Sequence, residues 1–546
     1  MSTSISTQKI DEIIRRHLKM FRKPGVLSVR AGFKITGNWI TNKAAIVVTV
    51  DKKVKGVKKN NQLPAVIQDV PIDVREATGM QRLRAKSQEQ FSLVQAHGRN
   101  EFKEPHWKNE RAMPSGQVIK PAAAVAVKAK TAVKSTKTEI PYKAPAKALA
   151  KQTRKMTIVA YASPDDGFSV LSDFLKATTS DLTIGMYDFT SADLLASVTG
   201  TVKSKALNFR MVLDHPPRNP TANQTDDQTR TAILASDKNA AINWALTRND
   251  PAVTEWIFPT AYHIKVVVRD DKAMWLSSGN FNVSNQPNLK AKDPKRGSLA
   301  NADRDWHLIV MDEQLAALYK AYLDNDFSMA QAGQGAGDAA THAKIHQAVQ
   351  AFQAESSKSS TRPTAVSKAS VFELGKNRVF KNVDVTVQPL LTPDKGTHTS
   401  MYVDQVLALI QSAKKTVYMQ TQYVHVSDKP EDKDFMLLVS ALSEAHKKGL
   451  DVRLITSQFE NTGQWIEKLK PFQLDQVLRI QQRVHNKGIV VDSNAVLVSS
   501  QNWSADGTLR NRDAGMIIQN AAIAAYFEAI FLDDWVNRAE EKITGS

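Results

Sequence analysis

Two segments of the chain carry residues able to do chemistry at matching spacings. Residues 263–280 read HIKVVVRDDKAMWLSSGN and residues 484–502 read VHNKGIVVDSNAVLVSSQN. Each begins with a histidine and a lysine two apart and ends with a serine and an asparagine two apart. Residues two apart on a strand point to the same face. With Ser493 and Asn494 as a two-residue hairpin turn, His485 stands opposite Asn502 and Lys487 opposite Ser500. The same register about Asp271 and Lys272 sets His263 opposite Asn280 and Lys265 opposite Ser278. Asp270 and Asp492 then take the first turn position, where aspartate is favoured for local backbone hydrogen bonding. A phosphodiester in an in-line displacement needs positive and hydrogen-bonding groups around its oxygens, which lysine, hydroxyl and amide side chains supply. One imidazole can attack phosphorus while a second protonates the leaving oxygen and later activates water. The lysines carry the charge a divalent ion would otherwise bring, so the expectation is a site without metal or cofactor.

The two segments sit in halves that repeat each other. VAYASPDDGFSVLSDFLKATTSDLTIGMY (159–187) and PLLTPDKGTHTSMYVDQVLALIQSAKKTVYM (389–419) each read as strand, Pro-Asp turn, amphipathic helix and strand. ALNFRMVLD (206–214) answers GLDVRLITS (449–457). The alternation predicts an α/β class of two pseudo-symmetric lobes with mixed sheets, over 156–330 and 376–546. Residues 114–155, rich in Ala, Lys and Pro, read as a basic linker, and 331–375 as a low-complexity connection between the lobes with a helical stretch around KIHQAVQAFQAE. Residues 1–113, with apolar side chains at Ile10, Ile13, Ile14 and Leu18 at helical spacing and three strand-like runs, predict a small α+β domain with no evident catalytic group.

Both copies match H-x-K-x4-D followed six residues later by G/S-S-x-N, and on these residues the chain resembles the phospholipase D superfamily. The motif stands as His263, Lys265, Asp270, Ser277, Ser278, Asn280 and as His485, Lys487, Asp492, Ser499, Ser500, Asn502. Serine at 277 and 499, where glycine is commoner, is the one departure. The resemblance covers 157–546 and leaves the first 155 residues unexplained. It implies two lobes with the site at their interface, a phosphohistidine intermediate, His263 as nucleophile, and His485 as acid and then base. Ser278, Asn280, Ser500 and Asn502 are implied to bind substrate. It also implies an acidic residue downstream of each motif on an imidazole Nδ1. DRDWHLIV and NRDAGMII align there, nominating Asp305 and Asp513, for which the plain alternative is a salt bridge to the neighbouring Arg304 and Arg512. Trp275 and Trp503 read as packing residues.

Composition bounds the substrate only loosely. The 546 residues hold no cysteine, which excludes disulfides, thiolate zinc sites and cysteine nucleophiles. The net charge is +18. Residues 1–113 have 22 Lys/Arg against 10 Asp/Glu and residues 114–155 have 10 against 1, leaving 41 against 44 in the rest. Basicity therefore belongs to the front end, which could hold an anionic membrane or nucleic acid. No apolar run suits a signal peptide or membrane span, so the expected location is cytoplasmic, peripheral to a membrane at most. A phospholipid diester is the first expected substrate and a DNA or RNA diester the second. A non-catalytic scaffold is disfavoured by two intact quartets, and a cardiolipin-synthase-like transferase by the lack of amino-terminal membrane helices. Head group, acceptor and oligomeric state are not encoded in any motif.

Overall fold

The computed structural model describes residues 6–540 apart from 37–38, 55–56, 98–109, 114–137, 206, 215–224, 249, 251–252, 294, 334–338, 357, 359–374 and 460–461. The strands of the first half are β1 (Gln152–Ser163), β2 (Asp181–Met186), β3 (Asn208–Leu213), β4 (Ala241–Trp244), β5 (Lys265–Arg269), β6 (Ala273–Ser277) and β7 (Asp305–Met311). Those of the second are β8 (Arg378–Thr392), β9 (Thr416–Thr421), β10 (Asp451–Ser457), β11 (Leu478–Gln481), β12 (Lys487–Val491), β13 (Ala495–Ser499), β14 (Asp513–Gln519) and β15 (Ala539–Glu540). They form one 15-stranded mixed sheet, ordered β4-β3-β2-β5-β6-β7-β1-β8-β14-β13-β12-β9-β10-β11-β15. Read outward from the antiparallel β1/β8 seam, the seven-strand order of one half repeats in the other, with β15 added at the far edge. The fold is thus α/β with two pseudo-symmetric lobes joined edge to edge.

Apolar runs such as KVVVR and KGIVV are buried on both faces, because each half-sheet is covered on both sides. On one side Gly167–Lys176 and Ala192–Lys205 pack Leu171, Phe174, Leu194 and Val198 onto the first half. Met401–Gln411 and Lys433–Lys447 do the same for the second half. On the other side one core draws on both halves, including Val266, Met274, Trp306, Val490, Val498 and Met516 with the long helices Glu313–Ala332 and Ala521–Asn537. The contact there is close. A Cβ on Gly488, inside the second H-x-K, would lie 2.3 Å from the Trp306 ring.

Two buried arginines lock the lobes. Arg304 pairs with Asp534 through Nε at 2.8 Å, with Asp165, and with the Ser163 carbonyl. Arg512 repeats this with Asp326 at 2.7 Å, Asp394 at 3.0 Å and the Thr392 carbonyl. These arginines are committed to aspartates other than Asp305 and Asp513, which removes the salt-bridge alternative for the latter two. The Pro-Asp turns therefore deliver Asp165 and Asp394 as clasps.

The hairpin register differs from the expected one by a residue. Arg269 pairs with Ala273 and Val491 with Ala495, so each turn has three residues, with Lys487 set against Ser499 rather than Ser500. Asp270, Asp271, Asp492 and Ser493 all adopt positive φ of 52–55°, a geometry aspartate tolerates better than most residues. The Asp492 carboxylate accepts the backbone N–H groups of Lys414, Lys415 and Thr416 at 2.7–2.8 Å, and Asp270 those of Thr179, Ser180 and Asp181. Burial works against the charge, but these donors win and hold both carboxyls below the usual range. The third signature residue of each motif is thus a turn anchor that ties the hairpin to the neighbouring strand.

The front end adds a five-stranded sheet carrying the helix Thr7–Arg16. The helix Ala339–Ser356 lies inside the stretch expected to be an inter-lobe connection. It packs instead on Gly79–Lys86 and Gln88–His97 through Leu83, Ile345, Val349 and Phe352, so that stretch belongs partly to the amino-terminal unit. The expected basic linker also differs from expectation where it is described. Thr138–Glu139 pairs with Glu255–Trp256, Leu149 is buried, and Arg512 lies over the Tyr142 ring. Residues 114–137 of it lie outside the described residues. Among the described residues no helix is long and apolar enough to cross a membrane.

Replacing Asp534 by Ala should lower unfolding stability by about 3–5 kcal/mol, read from urea denaturation, because a buried guanidinium loses half its counter-charge. Asp492→Asn keeps the left-handed turn but loses the charge. It should cost about 1–2 kcal/mol at pH 7. Because the folded carboxyl titrates below its unfolded value, the advantage is full above about pH 4 and is lost as pH falls through the folded value, below which the two proteins should converge.

Candidate active site

The open ends of both hairpins meet where the lobes face each other. Backbone bridges set Tyr262 beside Arg512 and Arg304 beside Val484, so the residue before each motif histidine abuts the arginine before an aspartate of the other half. The His485 N–H donates to the Arg304 carbonyl at 3.1 Å, and the Arg512 N–H to that of Ala261 at 2.9 Å. The consequence is a crossed arrangement. His263 Nδ1 lies 2.8 Å from Asp513 Oδ1, and His485 Nδ1 lies 3.0 Å from Asp305 Oδ1. Each nominated aspartate therefore meets an imidazole, but that of the opposite copy rather than the motif it follows. A proton on Nδ1 in this bond leaves Nε2 as the reactive nitrogen.

Lys265 and Lys487 are buried, and each ammonium donates to the carbonyl of the histidine two residues before it. Burial pushes the Asp513 carboxyl up to about 7 against the opposing charges of Lys265 and Lys487. Asp305 is likewise raised by burial and opposed by Lys487 and, more weakly, Lys265. Both lysines act on both aspartates, so the four groups form one electrostatic cluster.

The motif serines stand behind the aspartates. Ser278 Oγ donates to Asp305 Oδ1 at 2.7 Å and Ser500 Oγ to Asp513 Oδ1 at 2.5 Å. Each also accepts a backbone N–H, from Trp306 and Ala514, at 3.0 Å. Their hydroxyl protons are thus engaged by carboxylates, in place of the substrate contact expected of them. The carboxamide oxygens of Asn280 and Asn502 are buried and accept no hydrogen bond from a described residue. Ser277 bonds His307 Nδ1 at 2.7 Å, Ser499 bonds the Lys487 carbonyl at 2.9 Å, and Trp275 and Trp503 are core residues.

Several groups around the cluster carry no motif that would reveal them. The Tyr187 ring meets His263 edge-on at 4.6 Å and lies 4.9 Å from Lys265 Nζ. Strand pairing puts Gln422 at the equivalent place in the second half. Buried His307 joins Ser277 to Ser163, and burial pulls its pKa down to about 4, which keeps it neutral. Half-buried rings of Tyr423, His425, Phe459 and Trp465 gather just beyond the end of β9, with Tyr423 and His425 stacked at 3.9 Å. The strand Trp39–Val50 of the amino-terminal sheet reaches this rim, where the Ile40 N–H donates to Gln458 Oε1 at 3.3 Å. Doubled aromatics at i and i+2 after a strand were the only available signal for the ring cluster.

A family model described as "Cardiolipin synthase, PLD-like domain" matches residues 406–535. The chain is 25% identical over 187 residues to a phospholipase D of Rickettsia bellii (strain RML369-C), covering 33% of this chain and 78% of that protein. It is 29% identical over 159 residues to a phospholipase D of Rickettsia conorii (strain ATCC VR-613 / Malish 7), covering 28% and 68%. Among solved structures, a phosphatidylserine synthase of Haemophilus influenzae Rd KW20 aligns with a TM-score of 0.47 at 12% identity, over 72% of this chain and 90% of that one. Nuc, a phospholipase D family member of Salmonella typhimurium, aligns with a TM-score of 0.24 at 23% identity, over 29% and 97%. The matched family segment contains the whole second H-x-K copy, whose histidine is held by an aspartate of the first half, and over that segment the chain is similar to the phospholipase D superfamily.

Proposed function

We propose that this chain is a metal-independent phosphodiesterase that hydrolyses phospholipid diesters through a phosphohistidine. The observation that carries the reading is the crossed pair of Nδ1–carboxylate bonds, which ties the two imidazoles to opposite lobes and leaves the Nε2 atom of each for chemistry at phosphorus. In the first step His263 Nε2 attacks phosphorus, the bond to the leaving oxygen breaks, and His485 gives that oxygen its proton. In the second step His485 takes a proton from water, the water oxygen bonds to phosphorus, and the P–N bond breaks. An alcohol in place of water gives transfer rather than hydrolysis. Lys265, Lys487, Asn280 and Asn502 surround the phosphoryl oxygens, where fixed positive and amide groups stabilise developing charge. The near balance of charge in residues 156–546 supports a lipid over a polyanion. The Rickettsia relatives, named phospholipases D, agree with that choice. Cleavage of DNA or RNA by the same route is the second reading, favoured by the 32 Lys/Arg of residues 1–155.

Purified protein in chelator should release a free head group from mixed phospholipid vesicles and leave plasmid and single-stranded DNA intact. Nucleic acid cleavage with intact lipid would select the second reading, and dependence of turnover on an added divalent ion would contradict the mechanism. His485→Ala should retain a covalent phosphoryl adduct on His263 while turnover falls roughly 10²–10⁴-fold. His263→Ala should retain none, and the opposite pattern would exchange the two roles.

A further inference from the structure

The two imidazole–carboxylate pairs are not equivalent. Asp305 Oδ2 accepts a hydrogen bond from Asn285 Nδ2 at 2.9 Å, in addition to the Ser278 hydroxyl and His485 on Oδ1. Asp513 Oδ1 has the matching pair, Ser500 and His263, but its Oδ2 accepts no hydrogen bond from a described residue. The Asn511 side chain, near Asp513, also favours the ionised form of that carboxyl. The residue five positions after the motif asparagine is Asn285 in the first half and Gly507 in the second. A Cβ at Gly507 would come within 2.2 Å of the Asn502 carbonyl oxygen, so this half has no room for an asparagine there. Asn285 itself is fixed on every side. Its Oδ1 accepts the Asn280 N–H at 2.9 Å, its own N–H donates to Asn282 at 2.8 Å, and Nδ2 also reaches Asp303 at 3.2 Å.

A carboxylate with more donors is a weaker base and pulls less on the imidazole proton it shares. We propose that Asn285 is a positioning residue that makes the two histidines unequal, holding Asp305 as the weaker base so that His485 is the better proton donor and His263 the better nucleophile. The surrounding charges do not erase this difference. Lys265 and Lys487 act on both aspartates. Arg304 beside Asp305 and Arg512 beside Asp513 are each neutralised by two other aspartates. His307 flanks Asp305 alone and is neutral above about pH 4, while Asp303 shares the Asn285 amide. The proposal deepens the phosphohistidine reading and rests on it for the assignment of roles.

The test compares wild type with Asn285→Ala by the pH dependence of kcat/KM on a diester releasing an alkyl alcohol, and by NMR titration of His263 and His485. Loss of the donor makes Asp305 a stronger base, so the alkaline limb and the His485 midpoint should both rise by about one pH unit. The acidic limb and the His263 midpoint should stay in place. Asn285→Val, which keeps part of the side-chain volume and has no donor, should move His485 the same way if the alanine variant does not fold. A His485 midpoint that stays or falls, or equal movement of both histidines, would overturn the proposal. The NMR arm needs no turnover, so an inactive wild type would count against the phosphodiesterase reading while the midpoints still decide the role of Asn285.

Discussion

Each imidazole of this site is oriented by a carboxylate that belongs to the other half of the chain. That crossed bond, 2.8 Å for His263 with Asp513 and 3.0 Å for His485 with Asp305, makes neither half complete alone. The pseudo-twofold sheet exists, in chemical terms, to hold it. The β1/β8 seam brings the halves together, the Arg304 and Arg512 clasps fix the strand ends, and Asp270 and Asp492 fix the far ends of the hairpins. A buried guanidinium with two carboxylates is a costly device for stability alone. Here each one stands directly before an aspartate of the site, so the cost is borne where position matters most.

Duplication followed by divergence explains the residues that break the symmetry. Trp306 fills the space left by Gly488, whereas the equivalent positions in the other halves hold Ala514 and Val266. Tyr187 faces Gln422, Asn285 faces Gly507, and His307 faces Gly515 in the repeat. A symmetric ancestor would have had two interchangeable histidines. The present chain surrounds them with different groups.

Much of this was legible in the sequence, for definable reasons. Spacing along a strand is local, so H-x-K and S-S-x-N announced themselves, and the repeat gave the α/β lobes and the two aspartates by alignment. What failed was long-range or conformational. The partners of His263 and His485 lie 250 and 180 residues away, and which aspartate meets which histidine depends on the fold axis rather than on chain order. The hairpin register slipped by one because Asp270 and Asp492 entered the left-handed region inside the turn, where a two-residue turn would have left them on the strand. The helical stretch around KIHQAVQAFQAE was legible and lies in the helix Ala339–Ser356, but its partners were not, because Leu83 and Val94, which receive its few large apolar residues, lie about 250 residues earlier in the chain.

The most direct measurement of the central claim is a crystal structure of the protein soaked with vanadate, a mimic of pentavalent phosphorus. One vanadium atom per chain, bonded to or facing Nε2 of both His263 and His485 with the lysines around its equatorial oxygens, is the expected result. Vanadate bound at only one histidine, or at two separate places, would contradict a single site shared across the lobes.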